Sequence, residues 1–268
     1  MDIKIRKPAV AGSFYPDDPI ELRKMIEDFL KKAKEVKIKG RLRAIVVPHA
    51  GYVYSAPVAA YGYKHLASMK NQPSKIILMG PSHFAGFFGA AEAGADTWQT
   101  PLGMVKAGSL KEKIGKSDTI RKLPEAHNSE HCLEVQLPFL QSVMKKDFMI
   151  FPLLTGEVSP AVLANEIMDT VDDDTFIIAS SDLSHYNSYE KAVRLDSISN
   201  KAVPSLDIST MDESGDACGR TAILTLMNIA KKKKWKGMLL DYRNSGDTAG
   251  PKNQVVGYGC YAFYSPGS

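Results

Sequence analysis

Apolar positions along this chain follow two rhythms. Residues 42–47, 75–79, 148–154 and 176–179 are short apolar runs rich in β-branched side chains, the pattern of buried strands. Between them apolar residues recur at helical spacing. The clearest case begins at Asp18, a good N-cap, with Pro19 at the first helical position and Glu21 completing a capping-box-like pattern. Leu22, Met25, Ile26, Phe29, Leu30 and Ala33 then share one face, lysines lie opposite, and the helix ends before Gly40. Further helices are predicted over 55–69 with Ser55 as cap, 129–144 with a kink or break at Pro138, 160–170, 189–202 and 219–232. The Gly- and Ala-rich stretch 87–107 reads as short edge strands, and 237–242 and 255–264 as two late strands. Strands alternating with helices predict a layered α/β/α architecture around a central mixed, mostly parallel sheet. With no repeat and no low-complexity linker, residues 1–268 read as one domain.

Three apolar runs end in a short turn that carries a histidine: AIVVPHAG (His49), IILMGPSHFAG (His83) and FIIASSDLSHY (His185). Open α/β sheets bind ligands beyond the carboxyl ends of their strands, so these ends predict one site gathered from distant sequence. Several imidazoles at one crevice point to a metal or to acid–base chemistry. Gly51 and Gly86, just beyond His49 and His83, permit close approach of backbone to a ligand.

Composition narrows the classes. A chain of 268 residues with 44% hydrophobic and 24% charged residues is ordinary for a soluble globular protein. A net charge of +4 is too mild to argue for nucleic acid. No apolar stretch reaches the roughly 18–20 residues of a membrane span, and the start MDIKIRKPAVAG has no apolar core of a secretory signal. Cys132, Cys218 and Cys260 are odd in number and far apart, which argues against a disulfide framework. A cytoplasmic protein with no membrane partner is expected.

Asp182 and His185 lie three apart and face the same way if their turn is helical, supplying a metal ligand or a general acid–base; the bland alternative has Ser181 and Asp182 capping a turn. HNSEH (127–131) matches the H-x-x-E-H pattern of inverzincins, but Asn128 and Ser129 read as helix-start residues and leave His127 outside the helix. His131 and Glu134 then either border the site or pair structurally. GYGCYA (257–262) matches G-x-G-x-x-A without a following helix and reads as chance. Cys218, at a predicted helix start beside Arg220, is a candidate for a lowered thiol pKa, or else a small buried side chain. KKKKWK (231–236) reads as a solvated helix end.

The ordered segments AGSFYP, PHAGYVYS, GPSH, EHCLEVQLPF, SSDLSHY and ACGR, from Ala11 to Arg220, resemble the Memo family, which is similar in fold to the class III extradiol dioxygenases of the LigB type. The resemblance implies a mononuclear metal site of His49, His83 and Cys218, with Asp182 and His185 lining the cleft and His185 handling protons. It implies substrate contacts from Tyr54, His131 and Arg220. Phe84 stands where some relatives carry a second histidine. Those dioxygenases use iron with two histidines and a carboxylate. A cysteine in place of the carboxylate is softer, which brings in copper or zinc and argues against ring cleavage. The function implied is a metal-dependent oxidoreductase with iron first and copper or zinc next. The alternatives are a signalling protein that binds a phosphopeptide or other anion in the cleft, with Arg220 and helix N-termini receiving the charge, and a metal-dependent hydrolase. Radical SAM and AMMECR-type proteins are the partners the resemblance implies; self-association into a homo-oligomer is a further expectation.

Overall fold

Strands flanked by parallel neighbours must bury both faces, which only helices on either side can provide. The computed structural model, which describes residues 3–267, shows this arrangement. Its strands are β1 (Ile5–Arg6), β2 (Gly40–Val47), β3 (Lys75–Pro81), β4 (Ala90–Glu92), β5 (Thr97–Thr100), β6 (Gly103–Ala107), β7 (Ile120–Lys122), β8 (Met149–Thr155), β9 (Thr175–Ser180), β10 (His185–Asn187), β11 (Lys236–Asn244) and β12 (Val255–Pro266). All join one sheet of order β1-β5-β6-β8-β3-β9-β2-β12-β10, with β11 on β12 and the β4–β7 pair on β8. The centre, β8-β3-β9-β2, is parallel; β12 runs antiparallel to β2. The fold is therefore α/β with a mixed, mostly parallel sheet, as the pattern predicts.

Alternate residues of the central strands enter two cores. Ile45 and Val47 pack with Leu22, Ile26, Tyr63, Leu66 and Phe139, under helices Pro19–Lys32, Tyr52–Ser68 and Leu137–Val143. Ala44 and Val46 pack with Leu163, Val203, Ile223 and Leu226, under Pro160–Ile167, Tyr189–Ser205 and Arg220–Lys232. Register then fixes the site. Val47 pairs with Ser180, and Pro81 closes β3 opposite Thr155. His49, His83 and Asp182 thus leave the sheet at one carboxyl edge.

The first helix starts as predicted, with Asp18 Oδ1 accepting from the Ile20 and Glu21 amides. Elsewhere the boundaries move. The second helix starts at Tyr52 after Gly51, and Ser55 lies inside it, its hydroxyl donating to the Ala50 carbonyl (2.7 Å). The predicted helix 129–144 is a turn, a 3₁₀ segment Glu134–Gln136 and the helix Leu137–Val143. Pro138 sits in that helix's first turn, where its missing N–H has no partner to lose, so it starts the helix instead of kinking it. Short helices Leu110–Ile114, Pro124–His127, Ile208–Ser214 and Ser245–Thr248 show too few turns for periodicity to reveal them. No helix of the described residues is long and apolar enough to cross a membrane.

Candidate metal centre

Three imidazoles meet at the carboxyl edge of the sheet. Ligand atoms of His49, His83 and His131 all lie within 4.8 Å of one another. Ring centroids are 5.2 Å apart for His49 and His83, 5.5 Å for His49 and His131, and 4.8 Å for His83 and His131.

Their tautomers follow from their partners. Ser180 Oγ donates its only proton to the Cys132 carbonyl (2.6 Å) and accepts from Gln136 Nε2 (2.8 Å). His49 Nδ1, 3.0 Å from the same oxygen, must therefore be the donor. Gln136 is itself oriented by Tyr63, whose hydroxyl donates to Oε1 (2.7 Å), and by the Pro48 carbonyl, which accepts from Nε2 (2.9 Å). At His83, Nδ1 lies 2.9 Å from Glu130 Oε1, a carboxylate that only accepts. His49, held neutral by burial, thus keeps a lone pair on Nε2, the form a metal requires, and His83 turns its Nε2 away from Glu130.

Burial keeps His49 and His131 neutral. It lowers His49 to about 3, and the neighbouring His83 contributes. It lowers His131 to about 4, with His49 contributing. Burial alone would raise Glu130, but hydrogen bonds from His83 and the Cys132 amide outweigh it and hold the carboxyl at about 2.

Cys218 Sγ stands 3.3 Å from His49 Nε2 and accepts from the Asp182 amide at 3.3 Å. Nitrogen and sulfur ligands of one tetrahedral ion, at about 2.1 and 2.3 Å from it, are separated by about 3.6 Å. The thiol meets that spacing toward His49 alone: Cys218 is not among the side chains whose ligand atoms all lie within 4.8 Å of one another, so it flanks the three imidazoles without completing their group. The expected lowering of its pKa does not occur. Burial, reinforced by the Asp182 charge, pushes the thiol up to about 12, outweighing its hydrogen bonds with the Asp182 amide, Ser181 and the Gly219 amide. The compact donor group includes His131, which the sequence assigned to substrate contact.

Asp182 Oδ1 accepts from the amides of His49 (2.7 Å) and Ala50 (3.3 Å), and burial raises its carboxyl. The turn after it is not helical: His185 opens β10 against Val256. A cleft of about 600 Å³ lies over the histidines. Asp182, His185 and Tyr54 are among its lining residues, and so are Phe14, Tyr186 and Tyr258, which sequence reasoning missed. Tyr186 holds a left-handed φ of 57° at the rim. No lysine or arginine is among the lining residues; Arg220 is exposed and outside them.

The other motifs resolve structurally. Glu134 is fully buried and pairs with Arg6, while accepting from Tyr15 (2.6 Å) and the amides of Ala9 (2.7 Å) and Val10 (3.0 Å). His127 ends its own short helix and donates from Nε2 to the Ala91 carbonyl (2.9 Å), away from the cluster. GYGCYA lies within β12.

The family model described as Memo-like protein matches residues 6–262. A relative from Saccharolobus islandicus, named a MEMO1 family protein, is 37% identical over 94% of this chain and 97% of its own length. One from Sulfolobus acidocaldarius, under the same name, is 38% identical over 95% and 97%. Among solved structures, an uncharacterized protein of Escherichia coli K12 superposes with a TM-score of 0.54 at 12% identity, over 82% of this chain and 99% of that one, a likeness of fold.

Proposed function

The chain belongs to the Memo-like family, and on that footing we propose that it is a metal-dependent oxidoreductase in which His49, His83 and His131 hold one transition-metal ion, with Cys218 beside them. The observation that carries this reading is the grouping of the imidazoles: ligand atoms of His49, His83 and His131 lie within 4.8 Å of one another, and engaging Nδ1 of His49 and His83 as donors leaves Nε2 of each ring for an ion. Imidazole suits iron, copper and zinc, and the neighbouring thiol favours the softer two. Iron and copper are the redox-active occupants, with zinc the occupant a hydrolase would use. A bound iron or copper ion would supply an electron-transfer centre with open positions for a ligand.

The protein's own residues do the rest. The aromatic side chains of Phe14, Tyr54 and Tyr258 in the cleft lining would orient a flat or apolar ligand part. Asp182, its Oδ1 accepting from two amides, and His185, which lines the same cleft, would hold or move a proton beside the imidazoles. A dianionic ligand such as a phosphopeptide calls for Arg or Lys donors, which this lining lacks.

Metal analysis of anaerobically purified protein tests the reading. Wild type is expected to carry about one ion per chain and His49→Ala almost none. Equally little metal in both overturns it.

A further inference from the structure

Glu130 is a buried carboxylate, 2% exposed, with an unusual set of partners. Oε1 accepts from His83 Nδ1 (2.9 Å) and from the amides of His131 (2.8 Å) and Cys132 (3.0 Å), and it lies 3.3 Å from His131 Nδ1. Oε2 accepts from the His83 amide (2.6 Å). Its ion-pair partners among the described residues are these two histidines, with no lysine or arginine. Arg6 reaches the same turn but gives its charge to Glu134 and touches only the Glu130 backbone carbonyl.

A buried negative charge satisfied by neutral donors alone is expensive. It becomes favourable when positive charge sits on the far side of the imidazole it grips. We propose that Glu130 is the positioning residue of the metal centre. It brackets His83 and His131, fixes His83 as an Nε2 ligand, and supplies the negative charge that a divalent ion on that ring balances. This rests on the metal reading above. His49 is held differently, by the neutral Ser180 hydroxyl, so the two rings differ in basicity: His83, backed by a carboxylate, is the stronger donor. One short turn delivers both the bracket and a ligand, since Glu130 and His131 are adjacent.

Two measurements test this. In the metal-free wild type, ring ¹⁵N chemical shifts are expected to show His83 protonated on Nδ1; protonation on Nε2 overturns the proposal whatever the metal does. Co²⁺ affinity, by competition with a chelator, is then compared for wild type, Glu130→Gln and Glu130→Asp. Glu130→Gln should still bind one ion but about 10- to 100-fold more weakly, with altered visible absorption of the bound Co²⁺, and Glu130→Asp should recover part of the loss. A Glu130→Gln affinity within about threefold of wild type overturns the proposal. Should Glu130→Gln not fold, the wild-type tautomer decides. Should wild type bind no Co²⁺, the metal reading fails, and the tautomer still judges the bracket separately.

Discussion

Acid should loosen this fold through a histidine outside the three-imidazole group. His127 is 1% exposed, faces the edge of Trp98 at 5.9 Å, and donates to the Ala91 carbonyl. Burial lowers its pKa to about 4, and the nearby Arg6 charge contributes. The unfolded chain takes up a proton near pH 6.5, while the folded chain refuses it until about pH 4. Between those values the unfolded state binds more protons, so stability falls as pH falls. The full shift corresponds to roughly 3 kcal/mol, of which about 2 kcal/mol is lost between about pH 7 and pH 5. That is a sizeable part of the roughly 5–15 kcal/mol that holds a typical domain. His49 and His131 act with the same sign, whereas Asp182, Asp196 and Asp241, pushed up by burial, act with the opposite sign, so the whole-protein slope does not isolate one group. The variant His127→Gln does isolate it. Its amide can donate to Ala91 as the ring does, but it does not titrate. Urea unfolding of metal-free wild type and variant at pH 7, 6 and 5 is the assay. The variant should lose about 2 kcal/mol less than wild type over that range. Parallel pH dependences for the two proteins would refute the argument.

Two further outcomes follow from the same geometry. With its thiol pushed up to about 12, Cys218 of the metal-free protein should react with iodoacetamide at neutral pH on the order of 100-fold more slowly than an unperturbed cysteine; mass spectrometry of the labelled peptide reports the rate, and ordinary reactivity contradicts the buried-thiol assignment. Gly257→Ala should destabilise by about 1–3 kcal/mol or more in urea, because its Cβ would overlap the Asp196 carboxylate, which accepts from the Ser184 amide (3.0 Å) and Tyr242 hydroxyl (2.7 Å); unchanged stability shows that the β12 contact yields freely.

Much of this was legible in sequence because it is local. Strand ends at 47, 81 and 180 are set by apolar runs and the Pro, Gly and Ser residues after them, so His49 and His83 could be named as a pair. His131 reads in sequence only as a substrate contact, and the grip of Glu130 on two histidines goes unread. They sit in HNSEH, where a helical reading invited spacing arguments, yet the segment is a turn whose amides fold back on Glu130. The available signal was the acid directly beside a histidine, just ahead of the buried CLEVQLPF run.

The sequence by itself determined the α/β alternation, the placement of histidines beyond strand ends, and the capped first helix, since periodicity and local turn chemistry decide these within a few residues. Tertiary structure alone decided which groups converge and what charge they carry. Parallel register aligned three distant turns at one edge, and Ser180 and Glu130 chose the histidine tautomers. Partial burial beside Asp182 reversed the expected state of Cys218, because the penalty for a charged thiolate there depends on every neighbour at once and leaves no mark in the order of residues.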